Sequence, residues 1–399
     1  MKNTFMRLFV FLGFMCYACP IFGGESLKIG IVDSLSGPPS LCALDSLDAF
    51  KLVVEKVNAK GGVLGKKIEY FTRDDKFKPD VALSMAKELV LRQNVDILAG
   101  TMLTPAALAI SDFARQEKIP YIIENAKSYK ILGERGHRYV FSVDVNTTMI
   151  GQSAAVVLSK KPFIRYWIAG EDYEYSHNIG DITWDNLKRL KPDVQLLGQT
   201  WWKLGETDFL PYIAQIIAAK TDFAIICSSG GGLTDFQKAA SATGFNKKVP
   251  FYQHNAIDPP VVRPQGLDGP EGVYGTVAYV HYLDYPQNKK FVQEFKNAYG
   301  REPSVCALNG YNAAQFIVNG FEKAQKIDKE ALIDALEGLI LDSPVGKIEL
   351  RTCDHQVLLP MFWGVTKMDP KLKHLIATDI IRLNPKEYAP TCEEVLKMR

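Results

Sequence analysis

Gly65 and Lys66, in the stretch NAKGGVLGKKIEYFTRDD (58–75), have the residue types of a phosphate-binding loop. Such a loop needs a Gly, four spacer residues and then Gly-Lys followed by Ser or Thr, between a strand and a helix. Lys60 stands at the first glycine position, and Lys67 stands at the hydroxyl position. The order of elements is also reversed, because a helical pattern precedes the glycines and a strand pattern follows them. We therefore interpret the glycines as a helix C-cap and a turn.

Ser229, in CSSGGGL, has the setting of a nucleophile after a strand, but Cys227 stands where the elbow of a hydrolase needs Gly. The chain has histidines at positions 137, 177, 254, 281, 355 and 374. They form no HExxH motif and no Cys–His nucleophile pattern. Asp74 and Asp75 lack a nearby third metal ligand, so we interpret them as turn and capping groups. The sequence predicts no enzyme, no cofactor and no metal site.

Residues 1–24 have the pattern of a secretory signal peptide. Lys2 and Arg7 precede an apolar run over residues 8–17, and small residues follow it. The run is short for a membrane span, and no later stretch approaches twenty apolar residues. We expect cleavage close to Glu25 and a soluble periplasmic protein without direct membrane insertion. A lipoprotein anchored through Cys19 is the alternative.

Charge and length limit the possible partners and the number of lobes. The chain has 47 Lys plus Arg and 45 Asp plus Glu, and removal of the signal segment leaves 45 of each. Such a balance suggests neither nucleic acid nor an anionic membrane surface as partner. The mature chain of about 375 residues is longer than one core normally holds, which predicts two lobes.

An odd number of cysteines remains after cleavage, which leaves at least one free thiol in an oxidising compartment. They are Cys42, Cys227, Cys306, Cys353 and Cys392. We interpret Cys227 and Cys306 as small buried residues. Cys353 lies in a predicted loop and Cys392 in the C-terminal tail, so a bridge between them would attach the tail to the body. Whether that bridge forms stays open, and no pair has zinc-ligand spacing.

Strand and helix patterns alternate along the chain. The first half has apolar strand patterns at 27–32, 67–72, 95–99 and 120–124, and helix patterns from 45, at 79–92 and at 105–118. The same rhythm restarts after Asp144, with strands at 163–169, 194–202, 223–227 and 249–253. Short apolar strands between helices predict parallel sheets covered on both faces. The fold class is therefore α/β, with two doubly wound, mostly parallel lobes.

The last third of the chain breaks this rhythm and predicts a return between the lobes. We place three hinge crossings near 143–146, 274–278 and 351–356. Lobe 1 then comprises 25–144 plus 276–353, and lobe 2 comprises 145–275 plus 354–399. In doubly wound sheets, ligands bind outside the carboxyl ends of the strands. These ends lie at 33–42, 100–104, 124–127, 170–175, 228–231 and 253–255.

Several motifs resemble the periplasmic branched-chain amino-acid binding proteins of ABC importers. They are IGIVDSLSGPPS (29–40), VEKVNAKGGVLGKKIEYFTRDD (54–75), ILAGTMLTPAALAISDFARQEKIPYI (97–122), GFNKKVPFYQ (244–253), GPEGVYGT (269–276) and SPVGKIELRTCDHQ (343–356). The resemblance covers nearly the whole mature chain in order. It implies the type I periplasmic binding protein fold, with a three-segment hinge and a ligand between the lobes. The DHQ stretch and the Cys-containing tail resemble the branch that binds aromatic acids and other non-amino-acid solutes.

The resemblance also implies a ligand site. The hydroxyl and amide that hold a ligand carboxylate fall on Thr104. Further contacts fall on Cys42, Asn125, Lys127, Tyr175 and Ser229, and the acidic residue that receives a ligand ammonium falls on Asn255. Phe77 and Tyr279 could add aromatic surface.

Asn255 and Lys127 favour a ligand different from an α-amino acid. Asn255 cannot neutralise an ammonium, and a buried unpaired charge costs several kcal/mol. Lys127 could give a carboxylate a charge-assisted hydrogen bond. Both differences favour an anion without an ammonium. The alternatives are that Lys127 points to solvent, and that Glu124, Glu171 or Asp172 supplies the missing charge.

The sequence thus predicts a monomeric solute-binding protein that captures a small organic acid, such as an aromatic carboxylate, and delivers it to ABC permease membrane subunits. A branched-chain or other amino-acid binding protein is the alternative ligand class. A ligand sensor of the same fold and a secreted hydrolase that uses Ser229 are the alternative functions.

Overall fold

A computed structural model describes residues 26–37 and 39–399. The predicted signal segment and Cys19 lie outside the described residues. Among the helices of the described part, none has both the length and the apolar character needed to cross a membrane.

Strands and helices alternate, as the sequence predicts. The strands are β1 (Leu27–Asp33), β2 (Ile68–Asp74), β3 (Ile97–Gly100), β4 (Tyr121–Ile123), β5 (Val140–Ser142), β6 (Arg165–Glu171), β7 (Gln195–Trp202), β8 (Phe223–Cys227), β9 (Phe251–His254), β10 (Tyr274–Val277), β11 (Ile340–Ser343), β12 (Gly346–Leu350), β13 (Val357–Leu358), β14 (Met361–Asp369) and β15 (His374–Leu383). The helices are α1 (Ser40–Ala59), α2 (Pro79–Leu91), α3 (Thr104–Glu117), α4 (Thr147–Leu158), α5 (Glu174–Leu190), α6 (Leu210–Ala218), α7 (Gly230–Thr243), α8 (Phe245–Lys248), α9 (Pro259–Val262), α10 (Pro286–Tyr299), α11 (Val305–Ala324), α12 (Lys329–Leu336) and α13 (Cys392–Leu396).

The first sheet has five parallel strands in the order β2-β1-β3-β4-β5. Its register places Ile29 of β1 between Tyr70 and Ile97. The strands β3 and β4 are buried along their whole length, because their side chains contribute to apolar cores on both faces of the sheet. This arrangement confirms the predicted parallel sheet.

The second sheet has seven strands in the order β15-β14-β10-β9-β8-β6-β7. The strands from β6 to β10 are parallel, whereas β14 and β15 run antiparallel at one edge. β10 places Thr276 beside His254 of β9. The doubly wound architecture is therefore confirmed, with an antiparallel edge that the sequence did not indicate.

The glycine-rich corner at the end of α1 is structural. Gly62 has a φ of +86°, and a Cβ at this position would lie 1.8 Å from the carbonyl oxygen of Lys66. The following turn carries Asp74 and Asp75, whose carboxylates accept hydrogen bonds from the backbone N–H groups of Lys76 and Phe77 at 2.9 and 2.7 Å. These contacts confirm the interpretation as turn groups.

α1 begins at Ser40, earlier than the predicted start at Asp45 or Ser46. Leu41 and Leu44 are exposed, so the inward-facing apolar period that locates a helix begins only after them. A disulfide between Cys42 and Cys306 ties this first turn to the start of α11. The prediction that Cys306 is a small buried residue is therefore wrong, because Cys306 is half-buried and bonded to Cys42.

α1 and α11 pack closely along their length. A Cβ at Gly310 would lie 2.0 Å from the carbonyl oxygen of Ser46, so only glycine allows this approach of the two backbones. The third sheet, β11-β12-β13, follows α12 in the chain, and its first strand contacts α10 and α11. Residues 286–350 therefore accompany the first sheet.

Connections between the two sheets follow β5, β10 and β13. Gln356 joins the first and third of them, since its amide nitrogen donates to the carbonyl oxygen of Asp144 at 2.5 Å and its amide oxygen accepts from Asn146 at 3.1 Å. The predicted lobe boundaries, 25–144 plus 276–353 and 145–275 plus 354–399, stay a prediction.

The C-terminal tail returns to the first sheet. Cys392 forms a disulfide with Cys353, and the Arg399 guanidinium donates to the carbonyl oxygen of Leu132 at 3.1 Å. These contacts favour placing the last residues beside lobe 1, although the sequence assigned 354–399 to lobe 2. The remaining described cysteine, Cys227, is buried and unbonded.

Candidate functional site

The carboxyl ends of the two sheets face each other, and ion pairs join their rims. Lys130, beyond β4, pairs with Glu174 of α5 at 2.9 Å. Arg263, beyond α9, pairs with Glu302 at 3.0 Å. Both pairs connect residues beside the first sheet with residues beside the second. The space between the strand ends is therefore the candidate binding site.

On the first-sheet side, an unusual turn positions the start of α3. Gly100 has a φ of +106°, and its Cβ would lie 2.4 Å from the carbonyl oxygen of Val32. Thr101 follows with a φ of +80°, a conformation that β-branched residues rarely adopt. Its hydroxyl accepts from Tyr121 at 2.6 Å and donates to Val32 at 3.2 Å, and these bonds hold the turn. Strain of this kind is typical of binding sites.

The N-terminus of α3 provides donors for an anion. The N–H of Ala107 donates to Leu103 at 2.9 Å, whereas the N–H groups of Thr104 and Ala106 have no acceptor within the described chain. The Thr104 side chain is half-buried at the first position of the helix. Unused N–H groups and the helix dipole together favour a bound carboxylate here.

Lys127 is not the unpaired cation that the sequence suggested. Its ammonium forms an ion pair with Asp144, whose side chain is 0% exposed. Its carbonyl oxygen also accepts from the N–H of Thr147 at 2.8 Å. Burial raises the pKa of Asp144, and the charge of Lys127 opposes that rise. Lys127 therefore fixes the first connection between the sheets and has its charge balanced without a ligand.

Asn125 and Glu124 belong to a buried polar network beneath the site. The Asn125 amide oxygen accepts from Asn309 at 3.0 Å, and the Glu124 carboxylate accepts from Ser46 at 2.5 Å. Burial raises the pKa of Glu124 to about 7, and the Ser46 hydrogen bond opposes this rise. The predicted contact residue Cys42 lies beside this network but is bonded to Cys306.

On the second-sheet side, two tyrosines follow β6. The rings of Tyr173 and Tyr175 stack with centroids 5.8 Å apart. The Tyr173 hydroxyl forms a 2.6 Å hydrogen bond with Ser229, and the backbone N–H of Ser229 donates to Glu171 at 3.1 Å. Ser229 is thus bonded to a phenol rather than to an imidazole, and the hydrolase interpretation lacks its general base.

The end of β9 carries three polar side chains whose hydrogen-bonding groups are unused. Asn255 has a φ of +64°, its backbone N–H donates to the carbonyl oxygen of Thr276 at 2.8 Å, and its side chain makes no hydrogen bond within the described residues. His254 uses one ring nitrogen on Thr276 at 3.1 Å and leaves Nε2 without a partner. The carboxylate of Asp258, which is 5% exposed, makes no hydrogen bond within the described residues.

Sequence reasoning missed Asp258, His254 and Asp144. Asp258 lies three residues beyond Asn255 and belongs to no motif, so only its burial without a partner identifies it. Asp144 was assigned to a hinge, and nothing in its neighbours indicated a pairing with Lys127.

The two other predicted aromatic contacts differ in exposure. Phe77 is 41% exposed in the turn after β2. Tyr279 is fully buried, and its hydroxyl donates to Asn288 at 2.8 Å, so it belongs to the core. The structure thus brings Thr104, Asn125, Lys127, Tyr175, Ser229 and Asn255 to the strand ends, while Tyr279 is part of the core and Phe77 is an exposed turn residue.

Comparison with known proteins agrees with this geometry. A family model described as periplasmic binding protein matches residues 26–369. The Leu/Ile/Val-binding protein homolog 4 of Brucella melitensis is 23% identical over 382 residues, covering 89% of this chain and 89% of that protein.

Solved structures share the fold. A solute-binding protein of an ABC transporter from Rhodopseudomonas palustris, in complex with 3,4-dihydroxybenzoic acid, has a TM-score of 0.80 and 22% identity, over 90% of this chain and 98% of that chain. Another from R. palustris, in complex with benzoate, has a TM-score of 0.78 and 21% identity, over 90% and 97%. The family match over residues 26–369 shows that the chain belongs to the periplasmic binding protein family, which is an extracytoplasmic family of non-enzymatic binding proteins.

Proposed function

We propose that this protein captures a small organic acid between the two sheets, with the acid's carboxylate against the N-terminus of α3. The observation that carries the proposal is the set of unused donors there, the N–H groups of Thr104 and Ala106 with the Thr104 hydroxyl beside them. A carboxylate at this position would accept charge-assisted hydrogen bonds. Lys127 is not required, because Asp144 already balances its charge.

An aromatic acid fits the second-sheet side best. The stacked rings of Tyr173 and Tyr175 offer a flat apolar surface, on which an aryl ring can pack. Asn255 at the end of β9 is neutral, which disfavours the amino-acid alternative at that position. Two fold relatives from R. palustris bind aromatic acids, which supports the same ligand class.

An amino acid is the second candidate, and Asp258 is the observation that favours it. This buried carboxylate could receive an ammonium that Asn255 cannot. The relative from B. melitensis is named for leucine, isoleucine and valine.

We further propose that residues 1–24 direct the chain to the periplasm and are then removed, and that the mature protein acts as a monomer. Ligand contact with both lobes would stabilise the closed form, which permease membrane subunits would recognise. The ion pairs Lys130–Glu174 and Arg263–Glu302 would form on closure.

A thermal-unfolding panel tests the ligand class. The mature protein would be mixed with benzoate, 4-hydroxybenzoate, succinate, leucine and benzamide. A ligand at about 100 times its Kd should stabilise the protein by about 2.7 kcal/mol, which raises the Tm measurably. We expect benzoates to raise the Tm and benzamide to have no effect.

The matched variant is Thr104→Val, which removes the hydroxyl and keeps the side-chain shape. This variant should bind every carboxylate ligand more weakly than the wild type does, and the Tm of the free protein should be nearly unchanged. A Tm increase with benzamide equal to that with benzoate would contradict the carboxylate site.

A further inference from the structure

Asp258 and His254 are two buried polar groups near the carboxyl end of β9 that the proposed carboxylate site does not use. Asp258 is 5% exposed and His254 is 4% exposed. Oδ1 of Asp258 and Nε2 of His254 are buried without a partner in the described chain. Burying such atoms unpaired is unfavourable, so a missing partner is expected.

Both groups lie on the side of the second sheet that faces lobe 1. They are four positions apart at the carboxyl end of β9, where ligands bind in this type of sheet. Burial raises the pKa of Asp258 to about 8 and lowers the pKa of His254, and the positive charge of Lys127 on the first-sheet side lowers both. Lys127 itself is bonded to Asp144 and is not their partner.

Protein groups nearby leave the Asp258 carboxyl without a hydrogen bond. Asp45, which faces it from α1, is held by Arg301 at 2.7 Å and by Ser304 at 2.5 Å. Arg263 is held by Glu302. The described chain thus supplies no donor to Asp258, although it supplies donors to the acidic groups around it.

We infer that Asp258 recognises a hydrogen-bond-donating substituent of the ligand, a hydroxyl or an ammonium. The inference rests on the proposed function, which places the ligand carboxylate at α3. The solute class is then an acid with a second, donating group, held by one lobe at each end. Such a ligand would contact both sides only after closure, and this would couple specificity to closure.

Calorimetric titration with two matched pairs tests the inference. The pairs are 4-hydroxybenzoate with benzoate, and leucine with 4-methylpentanoate; within each pair only the donating group differs. In one pair, the wild type should bind the donating member about tenfold more tightly or better. The pair that shows this preference identifies the donor as hydroxyl or ammonium.

The Asp258→Leu variant should reduce that preference to less than about threefold and leave binding of the bare acid unchanged within the same factor. Asp258→Asn keeps the size of the side chain and should lose most of the preference for an ammonium. Asp96→Asn is the control, because Asp96 is a partly buried carboxyl just before β3, at the edge of the first sheet opposite the strand ends, where it accepts from the N–H of Lys28 at 2.8 Å. It should keep the wild-type preference.

The Tm without ligand separates recognition from a structural role. Asp258→Leu removes a buried carboxyl that bonds nothing in the described chain, so its Tm should equal or exceed that of the wild type. A clearly lower Tm would overturn the inference.

Two binding outcomes are also decisive. In the first, the acids without the donating group bind, but either Asp258→Leu keeps the preference for the donating member or the wild type shows no such preference. Asp258 is then not the recognition group, and the proposed function stands. If no acid of either pair binds to the wild type, the proposed function fails and the inference fails with it.

Discussion

The two sides of the binding cleft differ in how completely their polar groups are paired. On the first-sheet side, Lys127 is paired with Asp144, Glu124 with Ser46 and Asn125 with Asn309, so that each of these side chains has at least one bond, although one oxygen of Glu124 and one of Asp33 lack a partner within the described residues. On the second-sheet side, Asn255, His254 and Asp258 end β9 with unused groups. A paired network is rigid, whereas unpaired groups are costly unless a ligand uses them. The first side therefore acts as a rigid support, and the second side determines which ligands bind.

Breaking the Lys127–Asp144 pair should have the largest effect on the first side. Lys127→Met leaves the fully buried Asp144 without its partner, and loss of one member of such a pair costs about 3–5 kcal/mol. Chemical denaturation would measure this loss in the free energy of unfolding. Lys127→Met combined with Asp144→Leu should recover much of it, since no buried charge remains. If Lys127→Met alone were as stable as the wild type, the first side would not depend on this ion pair for its stability.

Both disulfides of the described chain lie on the first side, and their removal should come next. Each should stabilise by about 2–4 kcal/mol, more for the bridge that closes the longer loop. Cys42 and Cys306 are 264 residues apart, whereas Cys353 and Cys392 are 39 apart. The Cys42→Ser/Cys306→Ser variant should therefore lose more stability than the Cys353→Ser/Cys392→Ser variant. The opposite order, in chemical denaturation, would show that native contacts outweigh loop closure.

Glu124 should make the first side sensitive to pH. Its pKa is raised from 4.5 to about 7 in the folded protein, so the unfolded chain loses this proton at lower pH. The stabilisation is complete below pH 4.5 and is lost as pH rises through 7, by about 3 kcal/mol. Thermal unfolding from pH 4 to 8 should show a flatter profile for Glu124→Gln than for the wild type. Parallel profiles would mean that Glu124 does not titrate in this range.

The smallest effect is expected at the rims, where the two sides meet. Lys130→Ala removes the ion pair with Glu174. The Lys130 side chain is 36% exposed and the Glu174 side chain is 50% exposed. Exposed pairs contribute about 0.2–1 kcal/mol, so affinity should fall less than about fivefold and the effect should weaken with salt. Titration of the bound acid at low and high salt measures this. Lys238→Ala is the control, since its pair with Asp235 lies within α7.

The sequence predicted the repeated strand–helix architecture because apolar periodicity directly reflects burial on two faces of a sheet. It placed Thr104, Asn125 and Asn255 at strand ends for the same reason. It could not place Cys42 beside Cys306, because contacts across 264 residues leave no local pattern. The exposed Leu41 and Leu44 also concealed the first turn of α1.

The charges of the site were the least predictable feature. Lys127 and Asp144 are 17 residues apart, and neither belongs to a motif that would indicate their pairing. Only the fold shows that Lys127 is paired and that Asp258 is not. Partner choice among charges depends on tertiary distance, which residue spacing does not encode.

A crystal structure with 4-hydroxybenzoate bound would test the account most directly. The account predicts the carboxylate within hydrogen-bond distance of the Ala106 N–H and the Thr104 hydroxyl, with the Lys127–Asp144 pair intact. A carboxylate bound to Lys127, with Asp144 displaced, would contradict it.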